Sequence, residues 1–488
     1  MTSSHTRLTI SALLLAVAAA GSAQNYFTGP APPPSPGLLN EWLRKQDVYN
    51  SAWDVGAQVR VRYEDRNNFF SGANDFKENT PNPNNSYWLQ RVKPRVGYSA
   101  EWFSVLVEGR GSYSTGDNRD PNPEADGPMD LHQAYVTLGN HKEFPLSLKV
   151  GRQELSYGDE RILGAFDWNN LGRVFDAAKL RWQNPYFAAD FFTSRVVIPD
   201  DNNFNEPNDY DWFSGFYATS KLIPKQTTEL YFLSRNTAAG SRTVNGAGLP
   251  ALLNGPPPRD IYTIGLRVKS LPGEFGNWDY TGEFMGQFGH FNDPALPAGQ
   301  RSLEHEAFAV FLGGGYTWTK STLMPRLGVE YNFGSGDDDP TDGEHGTFEN
   351  LFPTNHKFYG FMDLLSLQNI HNVRLTSSIK PVPRLTLTAD YHLFWLADTQ
   401  DNLYTVAGAR RGGIGTTTGT GYGINPGYDS FVGSEVDFIA TFALKPWATI
   451  QGGYAHFFVG DYVEQSLAAP AVGSTDANWF YVQMNFSF

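Results

Sequence analysis

The chain holds no cysteine in 488 residues, which excludes a disulfide framework, a thiolate metal site and a cysteine nucleophile. After the N-terminus no stretch offers the ~20 apolar residues that a spanning helix needs, and the mean hydropathy is −0.40. Positive charge is in deficit, with 37 Lys and Arg against 51 Asp and Glu, a formal charge of −14. That balance argues against a nucleic-acid partner, which needs cations to neutralise its phosphates. Catalytic signatures are missing as well: there is no G-x-S-x-G, no P-loop and no H-E-x-x-H. The carboxylate pairs Asp159/Glu160 and Glu435/Asp437 read as loop solvation or lumen lining, so no enzyme is expected. Turn-formers and rings are abundant instead: 49 Gly, 31 Pro, 12 Trp, 24 Tyr and 35 Phe. So many aromatics exclude a chain that cannot collapse.

Residues 1–23 carry Arg7, an apolar run from Leu8 to Ala20, and then Gly21-Ser22-Ala23. This is the pattern of a secretory signal peptide cleaved near Ala23–Gln24. Residues 24–52 read as a Pro-rich periplasmic linker. Within it Leu38, Leu39, Trp42 and Leu43 sit at helical spacing, which leaves either a short amphipathic helix or plain linker.

From Trp53 to Phe488 one device repeats: about ten residues of apolar/polar alternation, then turn residues. Val55, Ala57, Val59, Val61 and Tyr63 alternate with Gln58, Arg60, Arg62 and Glu64. Leu385, Leu387, Ala389, Tyr391 and Leu393 alternate with Thr386, Thr388, Asp390 and His392. Period two means a strand with one apolar and one polar face. About 18 such segments follow one another, and the joins between them are short and long by turns. Tight joins such as Ser99–Trp102 and Leu444–Pro446 exchange with long ones such as Gln153–Arg173, Gly334–Asn369 and Asp398–Val432. A soluble sandwich has no reason to gather every long loop at one end, whereas an outer-membrane barrel does. Ten residues tilted by about 40° also cover the roughly 25 Å apolar band of such a membrane. Tyr98, Trp102, Trp182, Tyr186, Trp278, Tyr280, Trp395, Trp447, Trp479 and Tyr481 fall near strand ends, as interfacial girdles do. The last strand alternates through Phe480, Val482, Met484 and Phe486 to Phe488, like the terminal strand of bacterial outer-membrane proteins. The expected fold is all-β: a transmembrane, up-and-down antiparallel β-barrel of about 18 strands over 53–488. Its turns are periplasmic, its long loops extracellular, and its location the cell outer membrane.

Polar-face cations cluster early: Arg60, Arg62, Arg91, Lys93, Arg95, Arg110, Lys149, Arg152, Lys179 and Arg181, with Arg267, Arg326 and Arg374 later. Acids on polar faces include Asp190, Glu229, Glu283, Glu330, Asp390, Glu435 and Asp437. Rings of Arg and Lys in a wet pore select anions, and a guanidinium grips a carboxylate through two parallel bonds. The same residues also serve as ladders that brace a barrel wall, and both readings stand. Gly334–Asn369 and Asp398–Val432 are long enough to fold inward and narrow the bore, with Gly412-Gly413 and the Gly415–Gly423 run loosening the second. No cofactor is expected beyond one metal candidate: Asp337, Asp339 and Asp342 in the acidic external loop offer hard oxygens for Ca²⁺, without the register of an EF-hand.

Two stretches resemble the alginate export family of outer-membrane barrels. One runs Leu148-Lys149-Val150-Gly151-Arg152-Gln153-Glu154-Leu155-Ser156-Tyr157-Gly158-Asp159-Glu160-Arg161, then Asp167-Trp168-Asn169-Asn170 and Gly172-Arg173-Val174-Phe175-Asp176-Ala177. The other runs from Gly346-Thr347-Phe348-Glu349-Asn350 to Phe358-Tyr359-Gly360. The resemblance implies an 18-stranded monomer with an arginine-rich passage for an anionic uronate polymer. By position, Arg60, Arg62, Arg95, Arg152 and Arg181 would face the polymer, with Glu154 and Asp176 orienting or pairing them. Period two aims Arg152 at lipid, so this role requires the strand to end or bulge there. The partners expected are outer-membrane lipid, an anionic polysaccharide and a periplasmic export or uptake partner. A general or neutral-sugar porin is the alternative within transport, and an outer-membrane enzyme or adhesion anchor the alternative outside it.

Overall fold

The computed structural model describes residues 37–488 apart from 70–74, 79–82, 120–121, 141, 201–202, 239–257, 294–295, 298, 413–420 and 469–470. The signal peptide over 1–23, most of the Pro-rich segment and part of the Gly412–Gly423 stretch lie outside the described residues.

A nine-residue helix α1 (Leu38–Gln46) and a 3-10 turn (Val48–Ala52) precede the strands. The first nine strands are β1 (Trp53–Asn67), β2 (Asn84–Ser99), β3 (Phe103–Thr115), β4 (Asp126–Leu138), β5 (Leu146–Gln153), β6 (Phe175–Gln183), β7 (Phe187–Ile198), β8 (Asp211–Ser220) and β9 (Gln226–Thr237). The second nine are β10 (Arg259–Ser270), β11 (Trp278–Asn292), β12 (Ser302–Thr317), β13 (Arg326–Gly334), β14 (Ile370–Val382), β15 (Leu385–Leu396), β16 (Phe431–Lys445), β17 (Ala448–Val459) and β18 (Ala477–Ser487). Each pairs antiparallel with the next, and β1 pairs with β18 from Gln58↔Ser487 to Asn67↔Asn478. The result is a closed 18-strand barrel. Closure gives every strand a neighbour on both sides, which is what a strand in hydrocarbon requires, since lipid offers no partner to an open backbone group.

The alternation divides the wall as the sequence predicts. Phe191, Ile264, Phe284, Leu312, Leu327 and Phe438 lie exposed on the outer face, a belt far too apolar for water and suited to lipid. On the inner face Arg60, Arg62, Arg91, Arg267, Asp390 and Asp437 are buried. Among the described residues no helix is long and apolar enough to cross a membrane. Two of the expected girdle residues are corrected. Trp479 and Tyr481 are almost wholly buried on the inner side of β18, stacked at 4.5 Å between centroids. They alternate with the outward Phe480 and Val482, so proximity to a strand end did not decide their face.

The space inside is occupied. Loop 154–174 and loop 335–369 turn into the barrel and pair with each other: Gly164 N–H donates to Phe352 O at 2.8 Å and Thr354 N–H to Glu160 O at 2.9 Å. Their Leu163, Phe352, Phe358, Met362, Leu365 and Leu367 form a buried apolar plug against wall residues Phe213, Phe394 and Phe457. Loop 397–430 and a short helix α2 (Asp461–Ala468) pack above it through Leu403, Tyr462, Val463 and Leu467.

Candidate functional site

β1, β2 and β3 present a ladder of cations to the lumen because every second residue on each strand faces inward. That ladder meets five consecutive residues of the plug. Arg60 donates to Asp167 O at 2.6 Å and Asn169 O at 3.0 Å. Arg62 donates to Trp168 O at 2.9 Å, lies 3.9 Å over the Trp168 ring, and pairs with Glu64 at 2.7 Å and Glu124 at 2.9 Å. Arg91 reaches the Asp167 carboxylate at 2.9 Å, and Lys93 reaches it at 3.3 Å. Arg110 donates to Leu171 O at 2.6 Å and pairs with Asp126. Ser112 adds a hydroxyl bond to Asn170 O at 2.7 Å. Burial disfavours the Asp167 charge, but Arg91, Lys93 and Arg60 hold its carboxyl well below the usual carboxylate range.

The far side of loop 154–174 is held the same way. Asp159 receives Arg267 at 2.7 Å and Lys269 at 2.7 Å. Burial opposes the Asp159 charge, and those two cations bring its carboxyl down to about 2. Arg267 also pairs with Glu229 at 2.6 Å. Arg161 and Arg173, both on the loop, complete the grip. Arg161 lies 3.3 Å from the centroid of Phe311 and 3.8 Å from that of Phe358; Arg173 donates to Gly164 O and Pro353 O. Arg374 holds the second loop through Lys357 O at 3.0 Å while pairing with Glu330 at 3.2 Å and Asp390 at 2.5 Å. Glu283 takes the Tyr231 hydroxyl at 2.6 Å rather than a cation. Arg95 pairs with Asp54 and Arg326 with Asp279 nearer the periplasmic rim.

Two expected lumen residues are corrected. Arg152 and Asp176 pair at 2.8 Å, but the β4–β5–β6 registers show no shift, so both share the outer face with Leu148, Val150 and Leu180. They escape lipid because residues 203–208 cover them, with Asn205 O accepting from Arg152 at 3.0 Å. Asn205 also binds Asp126 and Asp130, filling the wall where β4 and β5 part above Ala134↔Arg152. In the acidic loop the Asp337 carboxylate lies 3.9 Å from His345 while its N–H donates to Asp401, Asp339 accepts from Thr341, and Asp342 accepts from the Glu344 N–H. Burial and the Asp401 charge push the Asp337 carboxyl up to about 6. Among the described residues, one set of three donors lies within 4.8 Å: Glu108, His132 and Glu154. Lys93 already stands 3.9 Å from Glu154, and Gln133 donates to Glu108.

Below the plug, toward the periplasm, β5 and β6 place Lys149 opposite Lys179 and Ser147 opposite Arg181. Asp190 serves both Arg181 at 3.0 Å and Lys179 at 3.9 Å. Lys149 lies 3.5 Å over the Tyr135 ring and has no carboxylate within 4.0 Å among the described residues. Two of these cations therefore share one acid, and Lys149 stands beside them without an ion-pair partner among the described residues. A cavity of about 490 Å³ opens on the same side of the plug, lined by Gln58, Arg60, Trp168, His356, Lys357 and Trp447.

A closed barrel with an apolar outer belt, a charged bore and long loops at one end defines an outer-membrane channel of the porin type. A family model described as alginate export matches residues 51–472, and the chain belongs to that family. Solved structures with the same fold include OccD3 (OpdP) of Pseudomonas aeruginosa, 12% identical, covering 89% of this chain and 91% of that one with a TM-score of 0.54. OpdQ of Pseudomonas aeruginosa is 13% identical, covering 89% and 97% with a TM-score of 0.54. OccAB1 of Acinetobacter baumannii is 11% identical, covering 89% and 96% with a TM-score of 0.54. No curated protein sequence matches this chain.

Proposed function

We propose that the channel conducts an acidic saccharide, of the uronate class, and that its arginines serve as both plug holder and anion track. The observation carrying this is the ladder of Arg60, Arg62, Arg91 and Arg110, whose donors meet the oxygens of Asp167, Trp168, Asn169 and Leu171. Those backbone oxygens and the Asp167 carboxylate occupy the places that a chain of carboxylates takes when loop 154–174 swings aside. Charge-assisted bonds are roughly twice as strong as neutral ones, so a uronate competes well against a peptide carbonyl. The under-neutralised Lys149, Lys179 and Arg181 supply a first foothold beneath the plug. Carboxylates attracted there gain local concentration in a narrow, low-dielectric bore.

A second reading, a general or neutral-sugar porin, is favoured by one fact: each of those four arginines already has partners. Channel recordings separate the two. Uronate oligomers are expected to block wild-type current where neutral oligomers of equal length do not, and Lys149→Gln/Lys179→Gln/Arg181→Gln is expected to abolish that preference. Equal block by both, unchanged in the triple variant, favours the neutral porin.

A further inference from the structure

Helix α1 is inside out for a helix in water. Its one fully buried side chain is polar, Asn40 at 1% exposure, while Leu38 at 43%, Leu39 at 38% and Trp42 at 55% point outward. The geometry of the barrel seam explains the buried amide. β18 stops short of β1: the last cross-seam pair is Gln58↔Ser487, and Phe488 N–H closes on Ala57 O at 2.8 Å. Residues 53–57 of β1 thus pair with β2 on one side and pass the end of β18 on the other. Asn40 fills that step. Its Oδ1 accepts the Val55 N–H at 2.7 Å and its Nδ2 donates to Asp54 at 2.6 Å. Gly37 fits against the Phe488 carbonyl, where a Cβ would collide. The helix is therefore set into the wall itself.

Its outer face continues the wall's outer face. Trp53, Trp102, Phe103 and Phe488 are all exposed at this end of the barrel, and Trp53 packs edge-on to Tyr98 at 5.0 Å. These are the residues of the periplasmic girdle, which meets the headgroup level of the bilayer. Lys45 and Gln46 follow at the C-terminal end and are exposed. A short helix with Leu and Trp on one side and polar groups at its end is the pattern of a segment lying in the membrane plane. In water the same sequence would hide Leu38, Leu39 and Trp42 and expose Asn40.

We propose that α1 lies in the headgroup–acyl boundary of the periplasmic leaflet, with Leu38, Leu39 and Trp42 in contact with phospholipid. Lipid thereby clamps the step in the β1–β18 seam from outside while Asn40 clamps it from within. The absence of cysteine makes single-site labelling clean. The chain from Gln24 onward is refolded into phosphatidylethanolamine/phosphatidylglycerol vesicles as Leu39→Cys, Trp42→Cys or Lys45→Cys, each carrying an environment-sensitive fluorophore; Lys45 projects beside the Leu39/Trp42 arc rather than within it. Folding is checked by heat-dependent gel mobility. Positions 39 and 42 are expected to emit blue-shifted light, lose it to lipids with a shallow nitroxide, and resist iodide present on both sides of the bilayer. Position 45 is expected to answer to iodide. If 39 and 42 are quenched by iodide as 45 is, the helix face is wet and the proposal falls. The three labelled side chains are exposed, so their replacement leaves the packing intact and either result is informative.

Discussion

Two cationic regions share this lumen and differ in what stands opposite them. The ladder on β1–β3 faces loop 154–174 at close range: Arg60, Arg62, Arg91 and Arg110 are buried, with their donors engaged by plug oxygens. On the β5–β6 patch below the plug, Asp190 pairs with Lys179 and Arg181, while Lys149 has no carboxylate within 4.0 Å among the described residues. A lumen arginine therefore has no fixed meaning. It is a clamp where the chain folds back to supply acceptors and an open charge where it does not. Function follows from the partner rather than from the face of the strand.

The largest effect is expected from breaking the clamp. Each bond from a charged donor is worth roughly 1.5–3 kcal/mol, so Arg60→Ala/Arg91→Ala removes enough to undock loop 154–174. Planar-bilayer recordings are expected to show a rise in single-channel conductance with folding retained. Next comes the second loop. Gly360 has φ +91, and a Cβ there would run into the Glu435 carboxylate, so Gly360→Ala is expected to raise conductance less and to leave uronate preference in place. Acidification is expected to act on the clamp as well. Asp167 and Asp159 have folded values below the ordinary carboxylate value of about 3.9. Their contribution to docking is complete above about 4 and is lost as pH falls toward about 2 through the Asp159 value. Limited proteolysis of loop 154–174 is expected to stay flat from neutral pH to about 4 and then rise. Asp337 runs the other way. Raised to about 6, its charge opposes docking of loop 335–369 increasingly as pH climbs to that value, and Asp337→Asn is expected to flatten that loop's protease sensitivity over the same window. The smallest effect on transport is expected from Arg152→Ala: a loss of about 1–3 kcal/mol in stability from leaving Asp176 unpaired, and unchanged ion selectivity.

The strands were legible because lipid and water impose a strict period of two on every one of them, and Val55–Glu64 or Leu385–His392 display it without help from the rest of the chain. The alternation also aimed Arg152 at the outer face, correctly, before the family pattern reassigned it to the bore. The plug was harder to read because its contacts are non-local: Phe352 meets Ile162 and Gly164, nearly two hundred residues away. A signal was present nonetheless. Phe348, Leu351, Phe352, Phe358, Tyr359, Met362, Leu364, Leu365 and Leu367 are too many apolar side chains for a solvated external loop, and all are buried. Arg161 and Arg173 were missed for a related reason, since they lie on that inward-folded chain where strand periodicity does not apply. Trp479 and Tyr481 were misplaced because girdle position was read from distance to the strand end alone, while their parity with Phe480 already placed them inside.

The exchange of plug oxygens for ligand carboxylates is tested most directly by amide hydrogen exchange over residues 162–171 in the bilayer-embedded protein. With uronate oligomers added, those amides are predicted to exchange faster as Arg60, Arg62, Arg91 and Arg110 let the loop go, and to stay as they were with neutral oligomers. Identical exchange under both sugars, or protection rather than release, would contradict the account.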